Sequence, residues 1–240
     1  MLLALSLLAV ALADSDSSVV YLIRHAERDG HFDCLNATGR ARAAALPSVF
    51  DGARDSWDVF DVFDGQLLAP GALFAHLYTP QDGVEFCQRA EQTLKPVADA
   101  RGLPLNLAFG SEPEAGGNAA AAAAITAARK VHPVILVAWE HHNIPALAQE
   151  LGVAPAALPK EEWPAADFDT VWVLQFSSST AAPSFSPAEE GLDDCLKTDT
   201  CGTRAAKRDD EGGAARDKLR SRTATLMAPS LGREATAVLY

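Results

Sequence analysis

Arg24 and His25 stand side by side at the end of an apolar run, Val19 to Ile23, and lead into Ala26-Glu27-Arg28. A guanidinium can fork two oxygens of a phosphate. A neutral imidazole beside it can attack phosphorus and carry the phosphoryl group as a covalent intermediate. The pattern recurs twice downstream. Arg89 lies in Cys87-Gln88-Arg89-Ala90-Glu91-Gln92-Thr93, and His141 follows a second apolar run ending at Trp139-Glu140. Brought together, these residues would set two guanidiniums and two imidazoles around one phosphate. That offsets the charge that spreads over the phosphoryl oxygens in transfer. The plain alternative is a set of charged strand ends with surface histidines.

The elements that must position them follow from periodicity and breakers. Short β-branched or aromatic runs bounded by polar residues predict strands at about 18–23, 72–78, 105–109, 133–139 and 170–176. Helices are expected at about 40–50, 84–100, 119–130 and 144–151. Pro96 should kink the second or end it early, and Gly152 should stop the last. Residues 51–71 are acidic, aromatic and poorly periodic, and read as an insertion. Strands and helices alternate, which predicts an α/β fold: a three-layer sandwich with a mostly parallel central sheet covered on both faces. Ligands in such sheets sit beyond the carboxyl ends of the strands. Arg24, His25 and His141 occupy that edge.

Composition sets the outer bounds. The chain has 240 residues, 48% apolar and 22% charged, which suits one sizeable core. A formal net charge of −12 argues against nucleic acid and against an anionic membrane surface. Any phosphate site must be a local cationic pocket. Residues 1–13 are an unbroken Leu/Ala/Val/Ser stretch ending in Ala11-Leu12-Ala13, the pattern of a secretory signal peptide cleaved after Ala13. No other stretch is apolar enough to span a membrane. Secretion agrees with Asn36-Ala37-Thr38, an N-glycosylation sequon. It agrees too with an even cysteine count: Cys34, Cys87, Cys195 and Cys201. Cys195 and Cys201 are close enough in sequence to pair, which leaves Cys34 and Cys87 to each other; four free thiols are the alternative. The expected organisation is a leader at 1–13, one domain at 14–185, and a charged, low-complexity tail at 186–240. Nothing in the sequence sets an oligomeric state.

Leu22-Ile23-Arg24-His25-Ala26-Glu27 resembles the signature of the histidine phosphatase superfamily, also called phosphoglycerate mutase-like. Three further pieces resemble that family in its order: Thr38-Gly39-Arg40-Ala41-Arg42-Ala43, then Arg89-Ala90-Glu91-Gln92-Thr93, then Val134 to His141. The resemblance covers roughly residues 18–176. The Trp139-Glu140-His141 form is similar to a poorly characterised eukaryotic subgroup. The resemblance implies that His25 is the nucleophile and that Arg24, Arg89 and His141 hold the phosphoryl group. Arg28 would add a third guanidinium, as in the acid-phosphatase branch. The family usually has glycine after the second histidine. Here His142 follows, so His142 is the alternative to His141. The His-Asp pair of the phytase-like branch is absent.

The leaving oxygen needs a proton, and a carboxyl with a raised pKa would supply it. Glu112, Glu114 and Glu140 are the candidates. No cofactor is called for. The expected partner is a small phosphorylated substrate, and the expected activity is that of a secreted phosphomonoesterase. A phosphomutase of the same fold and a catalytically silent phospho-ligand module are the alternatives. A different class is a metal-dependent hydrolase on Glu140, His141 and His142. Neighbours on a strand point opposite ways, so that triplet is expected to chelate poorly. No H-E-x-x-H or G-x-S-x-G motif occurs. A Cys34–Cys87 bridge would tie together the two segments expected to bind phosphate.

Overall fold

The computed structural model describes residues 17–201 apart from 31–32, 53–66, 81–83, 85, 112–115, 160–162, 179–180 and 199. The expected leader, most of the 51–71 stretch, Glu112, Glu114 and the chain beyond residue 201 lie outside the described residues.

The first strand, β1 (Ser18–Arg24), is buried along its whole length. Val19, Tyr21 and Ile23 enter one core with Leu73, Leu136 and Val173. Val20 and Leu22 enter another with Ile135, Val137 and Leu174. Successive side chains of a strand face opposite ways, so a strand buried on both faces reads as a continuous apolar run. The same holds for β4 (Val134–Trp139), its parallel neighbour. The remaining strands are β2 (Ala72–Ala75), β3 (Leu105–Asn106), β5 (Thr170–Phe176) and β6 (Ser184–Glu189). The sheet order is β3-β2-β4-β1-β5-β6. Pairing is parallel from β3 through β1 and antiparallel at β1–β5 and β5–β6, so β5 alone runs against the rest.

Helices α1 (Ala37–Val49), α2 (Arg89–Arg101) and α5 (Asp193–Lys197) cover one face, through Leu46, Leu94 and Cys195 among others. Helices α3 (Gly117–Ala128) and α4 (Ile144–Glu150) cover the other, through Ile125 and Leu147. The architecture is a three-layer α/β fold with a mostly parallel sheet. Among the described residues no helix is long and apolar enough to cross a membrane.

Several boundaries differ from expectation for physical reasons. The first helix starts at Ala37, not Arg40, because Asn36 caps it: its Oδ1 accepts from the Gly39 N–H at 2.9 Å. The Asn36 Nδ2 donates to Asp29 Oδ1 at 2.9 Å, so a glycan on this sequon would replace that bond. Pro96 lies inside α2 without ending it, since Leu94, Val97 and Ala98 hold the helix to the sheet on both sides of it. The second strand stops at Ala75, which leaves His76 beyond its end. The domain does not close at residue 185. Strand β6 pairs with β5 through Glu189, and Leu192 and Cys195 of the next turn enter the core. Charge in this stretch hides its buried role. Both disulfides are formed, Cys34–Cys87 and Cys195–Cys201.

Candidate active site

Register places the chemistry. Arg24 of β1 lies opposite Trp139 of β4, and Ala75 of β2 lies opposite Ala138. The residues that follow these strands therefore emerge at one edge: His25, His76 and Glu140-His141. The His25 N–H donates to the Trp139 carbonyl at 3.1 Å, and the His76 N–H donates to the Ala138 carbonyl at 2.9 Å. Helix α2 opens at Arg89 and aims its amino end at the same edge. Thr93, one turn in, accepts the Ala26 N–H at 2.9 Å and donates to the Arg89 carbonyl at 2.8 Å. One hydroxyl thus joins the His25 loop to the turn carrying Arg89.

His25 is 1% exposed. Its Nδ1 lies 2.7 Å from the Ala26 carbonyl, which makes Nδ1 the protonated nitrogen and leaves Nε2 a free lone pair. Burial, foremost, lowers its pKa; the Ala26 bond opposes that, and the charges of Arg89, Arg24 and Arg28 add to the fall, to about 3. The ring is a neutral imidazole ringed by cations. Tyr78 and Phe168 flank it, each 6.3 Å away between ring centroids.

The arginines are held, not loose. Arg24 spends Nη1 on the carbonyls of Ala165 (2.8 Å), Asp167 (3.2 Å) and Pro164 (3.4 Å), and its guanidinium lies 3.9 Å over the Phe168 ring. Burial and the nearby Arg28 charge pull its pKa down to about 10, still a cation at neutral pH. Arg28 donates to the Gly30 carbonyl at 2.6 Å and forms a bridge with Leu35. Arg89 lies 4.3 Å over the Tyr78 ring. The Gln88 amide clamps both backbone groups of Tyr78, at 3.0 and 2.8 Å. The Nε groups of Arg24 and Arg28 and Nδ1 of His76 are buried without a hydrogen-bond partner in the protein. Buried donors without partners are costly and uncommon, and their grouping at one edge fits an anionic ligand.

His141 is buried, and its Nδ1 lies 2.8 Å from Glu140 Oε1. Glu140 Oε2 accepts from Asn143 Nδ2 at 3.0 Å. Burial would raise the Glu140 pKa; the His141 and Asn143 contacts outweigh it and bring it to about 2. Glu140, one of the three candidate acids, is therefore ionised and held against His141. His142 is exposed and its ring lies 3.8 Å from that of His141 at a 38° tilt, so His141 is the buried ring at this edge. The triplet lies in a turn past the end of β4, not on the strand, and its donor atoms fall within 4.8 Å of one another. The expectation of diverging side chains fails for that reason. Arg24 and Arg28 act on the same Glu140 carboxylate and would oppose a dication there.

Sequence reasoning missed His76. Its Nε2 accepts the Ser111 N–H at 3.0 Å, and its ring packs on Tyr78 at 4.4 Å and Trp139 at 4.7 Å. Burial, foremost, holds its pKa down near 4. Reading the second strand through to Tyr78 concealed it. A polar residue following an apolar run, the cue used for Arg24, marks it equally well. Phe168 and Thr93 were missed as contacts because no local pattern reports them.

No family model and no curated protein matches the chain. Among solved structures it is similar to a Nakamurella multipartitia protein described as the phosphohistidine phosphatase SixA, at 16% identity and a TM-score of 0.42, over 71% of this chain and 94% of that one. It is similar to the alpha-ribazole phosphatase of Shigella flexneri, at 13% and 0.42, over 69% and 94%. It is also similar to a mycobacterial glucosyl-3-phosphoglycerate phosphatase solved with inorganic phosphate, at 16% and 0.38, over 72% and 95%. At this distance they say nothing about substrate.

Proposed function

We propose that this chain is a phosphomonoesterase of the histidine phosphatase superfamily, acting through a phosphohistidine on His25. The observation that carries the reading is the His25 ring: neutral, with Nδ1 tied to Ala26, Nε2 left to attack, and three guanidiniums around it. Nε2 would bond to phosphorus as the ester oxygen leaves with a proton. Water would then attack phosphorus and release phosphate and free His25. Arg24, Arg28 and Arg89 would hold the nonbridging oxygens, and His141, oriented by Glu140, would donate to one of them. The leaving-group acid is then sought in Glu112 and Glu114, which follow Ser111 in the loop after β3.

Secretion is part of the same proposal. The leader-like 1–13 segment and two disulfides support an oxidising compartment. The substrate is a small phosphate ester. The test is phosphate release from a generic aryl phosphate across about pH 4 to pH 8, wild type beside His25→Ala, with enzyme quenched in alkaline detergent and assayed for base-stable, acid-labile phosphate on protein. Activity and label lost together in the variant support the reading. Equal activity in both proteins would end it, and phosphate binding without turnover would favour a silent binding module.

A further inference from the structure

Arg42 of α1 is 2% exposed, yet its guanidinium meets four carboxyl groups from three parts of the chain. Its Nε lies 3.0 and 3.1 Å from the two oxygens of Glu27, and Nη2 lies 2.9 Å from Glu27 Oε1. Nη1 reaches Asp169 Oδ1 at 2.9 Å and Glu190 Oε2 at 2.8 Å, and Nη2 also bonds Asp193. Asp169 in turn accepts the backbone N–H groups of Gly191, Leu192 and Asp193, which fastens the β6–α5 turn.

This knot ties down both walls of the phosphate site. Glu27 is two residues past His25 and adjacent to Arg28. Asp169 directly follows Asp167 and Phe168, whose carbonyl and ring hold Arg24. Movement of either carboxylate moves a phosphate-binding guanidinium. Four ionised carboxyls would leave three uncompensated negative charges around a guanidinium only 2% exposed. The deepest is Glu190, whose side chain is 1% exposed, against 15% for Glu27 and Asp169 and 44% for Asp193. Its second oxygen is buried with no hydrogen-bond partner. A neutral orphan oxygen costs far less there than an anionic one.

We propose that Arg42 is the positioning residue for the phosphate site and that the proton on Glu190 keeps its knot closed, so that losing this proton loosens phosphate binding. The groups facing Glu190 are Arg42 on α1, Asp169 before β5 and Glu27 on the His25 loop, with Asp193 of α5 joined through the shared guanidinium. Burial first, then the Asp169 and Glu27 charges, outweigh Arg42 and raise the Glu190 carboxyl to about 8. The proposal rests on the phosphate reading for its ligand but not for its device.

The test is calorimetric binding of inorganic phosphate to the full chain at about pH 7.5 and about pH 9, wild type beside Glu190→Gln. The amide is isosteric with the protonated acid and cannot ionise. One unit above a pKa only about a tenth of a group keeps its proton, so wild-type affinity should fall about tenfold at the higher pH. Glu190→Gln should keep its affinity. A flat wild type, or a variant that falls equally, overturns the proposal. Amide exchange at Ala26 and Asp169 at about pH 9 separates the two readings. Faster exchange in wild type than in Glu190→Gln supports the knot even if no phosphate binds, and equal exchange overturns it even if phosphate does.

Discussion

His25 Nδ1 sits 2.7 Å from the carbonyl oxygen of the next residue, Ala26, and this bond chooses which ring nitrogen can react. It also makes a pH statement. A histidine with its pKa held near 3 stays neutral through the range in which a free histidine would protonate. The rate profile should therefore show no acid limb near pH 6.5 from the nucleophile. Stability carries the matching sign. A depressed histidine pKa contributes stability that is present above about pH 6.5 and lost as pH falls toward about 3. His76, held near 4, adds to the same loss. The raised Glu190 carboxyl has the opposite sign, gaining stability as pH falls below about 8, so the melts are done on Glu190→Gln: its midpoint should fall from about pH 7 to about pH 4, and adding His76→Phe should flatten part of that fall. A midpoint that rises on acidification would contradict both assignments.

Thr93 gives a sharper mutational test. Its hydroxyl joins the Ala26 amide to the Arg89 turn, and all three groups are buried. Thr93→Val keeps the volume but orphans a buried N–H, at about 1–3 kcal/mol. Thr93→Ser keeps the bond and should recover most of that. Because Ala26 adjoins His25, the valine variant should also lose turnover of an aryl phosphate by tenfold or so. Full activity in Thr93→Val would mean the hydroxyl only stabilises.

Gly39 is needed for space, not for an unusual backbone angle. A Cβ there would come within 2.2 Å of the Glu27 carbonyl oxygen and 2.8 Å of its nitrogen. Helix α1 can press on the His25 loop only because no side chain intervenes. Gly39→Ala should cost about 1–3 kcal/mol by overpacking and raise KM by moving Glu27 and Arg28. Gly102→Ala is the comparison. There the added Cβ meets nothing within 4 Å, but φ is +62°, so the cost is about 1 kcal/mol of backbone strain with KM unchanged. Chemical denaturation and steady-state kinetics on the two variants separate the effects.

How much of this was legible follows from which forces are local. The both-face burial of β1 and β4 prints a continuous apolar run, so the sheet centre and the Arg24-His25 and His141 edges were readable. Proximity along the chain disclosed Cys195–Cys201. What was hidden depends on distance in sequence. Nothing near Arg42 announces that Asp169, Glu190 and Asp193 will meet it, since that cluster forms only once β6 is in the sheet. The setting of Glu140 depends on the turn at 141–143 beyond the strand end, which brings this candidate acid against His141 and Asn143 and keeps it ionised. Asn36 was read for a modification motif when its amide was already committed to a helix end.

The two disulfides should differ in what their loss does. In the chain-entropy account a bridge stabilises by restricting the unfolded chain, more so for longer loops. Cys34–Cys87 spans 53 residues and Cys195–Cys201 spans 6. The model gives about 4 kcal/mol for the first and about 2 kcal/mol for the second as upper values. Position adds a second difference. Cys34 adjoins Leu35, whose N–H bonds Gln92 Oε1 at 3.0 Å, and Cys87 is two residues before Arg89. Paired serine substitutions at 34 and 87 should therefore lower the melting temperature and weaken phosphate binding together. The pair at 195 and 201 should mainly lower the melting temperature, with a smaller effect on binding relayed through Asp193. Calorimetry of both double variants with and without inorganic phosphate decides it. Equal losses of phosphate affinity in the two would place the first bridge in stability alone.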